Sequence, residues 1–419
     1  MATTAEYGLG EFTYPRGWFM VARSEEVTST PLAVRYFGED MVIYRGGQSG
    51  KAFMIEAYCP HMGTHLARNS TSYVAQDGPV EGDSIRCPYH AWSYRLDGQP
   101  LAKPLKDGYM GTGLDASPNG QGLTRLPGVR VYREFVFVRL SPDGLDFDTY
   151  FGDALRAIDN MVERSPVGRL EVAGGVLRNT MACNWKLYLE NINDSVHPVS
   201  THESAVRAAQ SQWTETDPNA TKPLAIEQIL PFGQPYAFFE GMGGRVLPHG
   251  HSISGTRASV HSGYGELGDY VKALAAAHGE ERAKAILEHS PQNVVLYPSL
   301  AVKGSPQTIR VIRPVAVDRT VIEAWNFRTV GGPDLLFDRA LNYSRLVFSP
   351  MSIVAHDDIH LFEQQQQGLR SGPNDWVSLH RDFNAAELGT LPMDTNGSSE
   401  LLIRNQYRAW AEHMTRRIA

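Results

Sequence analysis

The sequence predicts an α+β protein in two parts: a small all-β domain over roughly 12 to 145, then a larger domain, roughly 146 to 419, that combines an antiparallel sheet with helices. Three observations carry this expectation. Runs rich in Val, Ile, Tyr and Phe (Val34 to Tyr44, Ala52 to Tyr58, Val129 to Leu140) dominate the first third and are punctuated by Gly, Asp and Pro, the pattern of strands joined by turns. Phe151, Leu155, Ile158 and Val162 then recur at the spacing of one helical face, and Ser165-Pro166 ends the run, so a boundary is expected near 145. Further on, helical patterns at about 183 to 196, 266 to 288 and 399 to 416 interleave with alternating strand patterns at 293 to 302, 307 to 317 and 320 to 330. The stretch 231 to 264 is rich in Gly, aromatic residues and His and reads as irregular.

With 419 residues and 42% apolar side chains, the chain can bury more than one core. Its net charge of -7 comes from 46 acidic and 39 basic residues spread along the sequence, without the basic runs that mark nucleic-acid or anionic-membrane partners. Neither a leader-like N-terminus nor a spanning apolar run is seen, and a cytoplasmic location is expected. Three cysteines are odd in number and too few for a disulfide framework, which points to metal binding or burial.

Two of those cysteines sit in short mixed pairs, Cys59-Pro60-His61 and Cys87-Pro88-Tyr89-His90, each just after a strand-like run. Zinc accepts two thiolates and two imidazoles, but its usual pairs place cysteines together and histidines together. A mixed Cys/His pair in each loop suits a cluster in which two thiolates hold one iron and two imidazoles the other, a ligand set that raises the reduction potential. His65, in the first loop, reads as a satisfied polar side chain, and Cys183 as a small buried residue.

A second group of donors follows. Asn184 to His202 reads as a helix that sends Glu190, Asp194 and His197 to one face, with Pro198 biasing His197 away from ordinary helix so that the turn to His202 is distorted. Two histidines and a distant carboxylate form the facial triad, which leaves positions on Fe(II) open. Acidic and His residues crowd a helix-like run downstream, His356-Asp357-Asp358-Ile359-His360, and can supply that carboxylate. His249, His251 and His261 read as pocket lining or polar surface. Phe232, Tyr236, Phe238, Phe239 and Met242 are candidates for a pocket wall. Ile403, Tyr407, Trp410 and Met414 form the stripe of a C-terminal helix.

Tyr58-Cys59-Pro60-His61-Met62-Gly63 and Arg86-Cys87-Pro88-Tyr89-His90-Ala91-Trp92 closely resemble the two cluster loops of Rieske non-haem iron ring-hydroxylating oxygenases, and the Asn184 to His202 and Ala355 to Gly368 segments resemble that family's iron-site signatures. The resemblance covers most of the chain and implies an N-terminal Rieske domain with a 2Fe-2S cluster on Cys59, His61, Cys87 and His90. It also implies a helix-grip catalytic domain with mononuclear Fe(II) on His197, His202 and Asp358. Asp357 and His356 compete for the third position. Asp194 matches the carboxylate that links His197 to the cluster-ligating His90 of a neighbouring subunit, where it fixes the tautomer and raises ligand basicity. Two departures stand out: 25 residues, 62 through 86, separate the loops, with Asn69 to Gly82 reading as an inserted surface loop, and Val196 replaces the Tyr usual before the first iron histidine.

The resemblance implies a terminal oxygenase, the catalytic α subunit, that uses O2 and electrons from NAD(P)H. They arrive through a separate reductase, with or without a ferredoxin, because no flavin, nicotinamide or four-cysteine ferredoxin motif occurs here. The working unit implied is a closed trimer, alone or with a small β subunit. The Asp357-to-Glu363 segment and the tail Ser399 to Trp410 look like α subunits of aromatic-ring dioxygenases, which favours cis-dihydroxylation of an aromatic compound. Phe12 to Phe19 and Cys-Pro-His-Met-Gly look more like Rieske monooxygenases. Hydroxylation, O-demethylation or ether cleavage of a phenoxy- or steroid-like substrate is therefore the runner-up. A pure electron carrier would have no use for the second donor set.

Overall fold

In the computed structural model, the described residues are 16–415 apart from 37–38, 69–79, 82, 114–121, 124–127, 142–143, 214–219, 262–266, 305–307, 373–375, 385–388 and 390. The expected surface loop at Asn69 to Gly82 and the segment Phe12 to Pro15 therefore lie largely outside them. The chain divides into two compact units, one containing Arg16–Phe147 and the other Asp148–Arg416.

The N-terminal unit is built from three small antiparallel sheets. Trp18–Arg23, Phe135–Arg139 and Gly128–Tyr132 form one, Leu32–Tyr36, Glu39–Arg45 and Ala52–Glu56 the second, and Val80–Glu81, Ser84–Arg86, Ser93–Arg95 and Pro100–Ala102 the third. Two runs expected as continuous are each split into two strands. Val34 to Tyr44 is divided between Leu32–Tyr36 and Glu39–Arg45, with Tyr36 opposite Glu39. Val129 to Leu140 turns at Arg133 and Glu134, both with positive φ (47° and 71°). A two-residue hairpin needs that geometry and usually takes Asn or Gly there, so the turn carries no compositional mark. Val42, Tyr44, Ile55, Ile85 and Tyr94 pack with Cys59, Cys87 and Trp92 into one buried cluster.

The second unit is organised by an eight-stranded antiparallel sheet. Its order is Leu170–Met181, Arg319–Thr329, Thr308–Ala316, Leu300–Lys303, Asn293–Leu296, Ser252–Ser254, Gly244–Val246 and Met393–Thr395. The last four of these strands are short, and two of them fall in the stretch read as irregular. The 293 to 302 run is a hairpin, and the 266 to 288 run is two helices, Gly268–His278 and Glu280–Glu288, broken at Gly279 with φ +83°. The expected helical face of Phe151, Leu155, Ile158 and Val162 is buried.

Two helices against this sheet carry chemistry. Trp185–Asn193 starts where the Asn184 side chain accepts from the Lys186 N–H at 3.1 Å, and Ile353–Ser371 starts where Ser352 Oγ accepts from the Ala355 N–H at 3.0 Å. Each cap satisfies a backbone donor that the first helical turn leaves free. No helix among the described residues is long and apolar enough to cross a membrane.

Candidate metal centres

In the N-terminal unit, the strands leave two tight loops side by side. The first closes through the Gly63 N–H on the Cys59 carbonyl at 2.9 Å, with Gly63 at φ +73°, and the second through the Ala91 N–H on the Cys87 carbonyl at 3.1 Å. Ala91 has φ +57°, a left-handed conformation that costs a residue bearing a Cβ about 1 kcal/mol or more. Both cysteines are buried and unoxidised, while His61 and His90 reach the half-exposed edge with ring centroids 4.6 Å apart. His61 also stacks on Trp92 at 4.5 Å.

The two thiols share hydrogen-bonding protons. The bond from Cys87, against the opposing effect of burial, holds Cys59 down to about 6, with help from Tyr94, whose hydroxyl lies 3.0 Å from Cys59 Sγ. Cys87 is raised, chiefly because its proton is held in the hydrogen bond to Cys59, with burial adding to the effect. Such a pair is prepared to carry negative charge on sulfur, as a metal-bound thiolate must. His65 uses Nδ1 to accept the Ala67 N–H at 3.1 Å, a local polar role as expected.

In the second unit, His197, His202 and Asp358 are the one set of three metal-type donors among the described residues that lie within 4.8 Å of one another. Asp358 Oδ1 stands 3.7 Å from His197 Nε2 and 3.5 Å from His202 Nε2. Behind each imidazole is a second carboxylate: Asp194 Oδ2 is 3.5 Å from His197 Nδ1, and Asp357 Oδ2 is 3.4 Å from His202 Nδ1. Asp357 thus faces the far ring nitrogen of His202, while Asp358 faces both near nitrogens. His356 lines a separate surface cleft with Arg178, His360 and Glu363.

The local chain path differs from the expected single helix. Trp185–Asn193 stops before Asp194, which is extended at φ -99°, and its carboxylate accepts from the N–H groups of Val196 (2.9 Å) and His197 (3.2 Å). Those bonds compete with helix and turn the chain, as Asp side chains do. A short helix, Pro198–Thr201, then restarts with proline at its first position and delivers His202. Glu190 does not share a face with Asp194 and His197 as expected; it accepts from the Tyr407 hydroxyl of the C-terminal helix.

Burial pushes Asp358 up to about 6, and burial together with neighbouring His197 brings His202 down to about 4. His197 moves the other way: burial alone would lower it, but Asp194 and Asp358 raise it overall. The set therefore presents a neutral imidazole and a carboxylate that ionises near neutrality, donors able to release protons to a metal ion.

Phe232, Phe239 and Met242 line the cavity around this set, as expected, whereas Tyr236 and Phe238 do not. His261 packs its ring on Phe232 and Tyr343, and His251 is buried between the Tyr150 carbonyl and the Tyr297 N–H. Cys183 is buried and raised to about 12, chiefly by that burial. Among the cavity residues that were not anticipated, Asn191, Lys303 and Arg310 bear most on its chemistry. Asn191 Nδ2 lies 3.0 Å from His197 Nε2 and 3.1 Å from Asp358 Oδ1, beside two of the three candidate donors. Arg310 and Lys303 enter from the sheet.

Both units match known protein families. Residues 17–116 match the Rieske 2Fe-2S domain family, and residues 158–416 match the ring hydroxylating alpha subunit (catalytic domain) family. The chain is 26% identical to the 2-halobenzoate 1,2-dioxygenase large subunit of Burkholderia cepacia, over 97% of this chain and 86% of that protein. It is 27% identical to the N,N-dimethyl phenylurea N-demethylase subunit alpha of a Sphingobium species, over 88% of this chain and 78% of that protein. A crystal structure of a phenanthrene-bound naphthalene 1,2-dioxygenase variant superposes with a TM-score of 0.68 at 18% identity, covering 97% of this chain and 89% of that one, a likeness of fold.

Proposed function

The chain belongs to the ring-hydroxylating alpha-subunit family, and from that premise we propose that it is the terminal oxygenase of a multicomponent system that uses O2 to cis-dihydroxylate an aromatic compound. Electrons come from NAD(P)H through a separate reductase. Cys59, His61, Cys87 and His90 would hold the 2Fe-2S cluster, and His197, His202 and Asp358 the iron. When bound, these groups supply one-electron delivery and O2 activation.

The observation that carries this reading is the convergence of His197, His202 and Asp358 inside a largely apolar cavity. Apolar walls there exclude water and hold a planar ring by contact area. Asp194 and Asp357 fix the two imidazoles from behind, so both near nitrogens stay turned toward Asp358. Asp194 has a further role in the proposal: in a closed trimer its carboxylate also takes the His90 ring of a neighbouring subunit, joining cluster to iron across the interface. Buried Cys59 and Cys87 with half-exposed His61 and His90 suit a cluster that receives electrons at its histidine edge.

A relative named as an N-demethylase supports monooxygenation as the second reading. Product analysis under labelled O2 with reductase and NADH, across aromatic acids, biaryl ethers and steroids, separates the two. A cis-diol carrying two labelled oxygens is expected. One labelled oxygen in a phenol, alcohol or aldehyde would replace dioxygenation by monooxygenation, and turnover without label in any product would sink the oxygenase reading.

A further inference from the structure

Cations are out of place in a cavity built for a neutral hydrocarbon, yet this one has two. Arg310 is 5% exposed and Lys303 2%. They stand on neighbouring strands of the sheet, with Lys303 opposite Thr308 and Arg310 opposite Ala301, and both line the cavity that holds His197, His202 and Asp358.

Their own contacts give neither an ion pair among the described residues, although the buried Asp358 acts on Arg310 from beyond 4 Å and the Tyr188 hydroxyl shares a hydrogen bond with it. Arg310 Nη2 donates to Asn293 Oδ1, its guanidinium lies over the Phe348 ring at 4.9 Å, and its Nε has no hydrogen-bond partner among the described residues. Lys303 Nζ donates to the Gln292 carbonyl at 3.3 Å and sits 5.2 Å from the Tyr343 ring centroid. Among the described residues neither has a carboxylate within 4 Å, although the partly buried Arg313 on the same strand as Arg310 is paired with Glu323. A buried guanidinium stays charged and is expensive without a counter-ion, so an anion supplied from outside the chain is the economical explanation. Burial and the neighbouring Arg310 hold Lys303 far below its ordinary range, a strain that an entering anion would relieve.

We propose that the aromatic substrate carries a carboxylate, received by the guanidinium of Arg310 with Lys303 beside it, while the ring lies among the apolar walls next to the metal donors. This rests on the oxygenase reading and narrows its substrate class to aromatic carboxylates. The fork of an arginine matches the two oxygens of a carboxylate, and the free Nε–H supplies a donor for it. Phe232, Ile322 and Phe348 offer contact for a ring, which distinguishes the site from one for a small inorganic anion.

Calorimetric binding to the metal-loaded holoenzyme tests this with benzoate, benzamide and toluene, which share size and ring but differ in charge. Benzoate should bind at least tenfold more tightly than either neutral ring. Arg310→Gln, which keeps a donor for Asn293, should weaken benzoate by roughly a hundredfold while leaving toluene unchanged or tighter, and Arg310→Lys should restore part of the loss. Lys303→Met should weaken benzoate less. Equal binding of benzoate and toluene, equal losses for both in Arg310→Gln, or no benzoate binding at all would overturn the carboxylate assignment. Labelled oxygen entering toluene in that case would leave the oxygenase reading standing. Tight, Arg310-dependent benzoate binding without oxygen incorporation into any substrate would keep the anion site and remove the oxygenase reading instead.

Discussion

The two candidate metal centres are built on opposite plans. The proposed cluster donors come in pairs with one and two residues between them within tight loops, and the loops lie at an edge where Met62 is 64% and Tyr89 62% exposed. The proposed iron donors come from a chain reversal after one helix and from another helix far downstream, and they meet inside a cavity. A centre that only passes electrons can be assembled locally and left near solvent. One that must admit O2 and substrate while excluding water needs walls, and walls require distant parts of the chain. The difference extends to charge. The cluster loops manage theirs with a pair of thiols and a tyrosine hydroxyl, whereas the iron site uses three aspartates and an asparagine around two histidines.

The plainest way to break this comparison is to empty each centre separately. Cys87→Ser should abolish the cluster's visible absorption and resonance signal while iron at the second site persists. Asp358→Ala should do the reverse, with mononuclear iron lost, the cluster spectrum intact and O2-dependent turnover reduced to background. Iron analysis beside the spectrum checks both. If Asp358→Ala retained full iron, or if either substitution emptied both sites, the assignment of donors or the independence of the centres would be wrong.

Smaller effects are expected from the carboxylates behind the imidazoles. Asp357→Ala should weaken iron binding by roughly tenfold to a hundredfold, since His202 would lose the partner of its Nδ1. Asp194→Asn should leave both metals largely bound and slow single-turnover electron transfer from cluster to iron. Stopped-flow bleaching of the reduced cluster measures that step. An unchanged rate in Asp194→Asn would remove this residue from the path between the centres.

Proton competition gives a further distinction. Asp358, raised to about 6, and His197, also raised, bind protons in the range where His202, at about 4, does not. A proton on either excludes metal, so the Fe(II) affinity of the metal-free site should be highest above pH 7 and fall as the pH drops through 6, by up to about tenfold per unit for each proton displaced. Anaerobic Fe(II) titration at pH 5.5, 6.5 and 7.5 would show it; a flat profile would mean that these donors are not protonated in the empty site.

Legibility in the sequence follows the same division. Cys59, His61, Cys87 and His90 stand out because their spacing is local, and a turn of two or three residues can be read from neighbours alone. His197 and His202 could be picked out, and the distortion around Pro198 anticipated. The helix nevertheless ends earlier than expected, because Asp194 spends its carboxylate on the N–H groups of Val196 and His197. The roles of Asp357 and Asp358 depend on which face of Ile353–Ser371 meets the two histidines, a tertiary fact. Arg310 was invisible for the same reason: in Thr308–Ala316 it reads as one polar position of an alternating strand, and nothing in the alternation says that both faces are covered. Arg133 and Glu134 hid a hairpin turn because neither residue advertises positive φ.

The smallest expected effect would sharpen the account of the cluster loops. Tyr94 is buried, and its hydroxyl lies 3.0 Å from Cys59 Sγ, where it can donate to the thiolate. Hydrogen bonds to cluster sulfurs withdraw charge from them and favour the reduced state, so removing one should lower the reduction potential. Tyr94→Phe keeps the ring that packs with Ile55, Cys87 and Trp92 and deletes only the donor. The cluster should assemble normally, with a lower potential by spectroelectrochemical titration and a slower reduction by the electron donor, while iron content and substrate binding stay as they were. A potential equal to that of the unaltered protein would mean that the hydroxyl does not donate to the cluster's sulfur. Loss of the cluster would instead show that this bond is needed to build the site and not only to tune it.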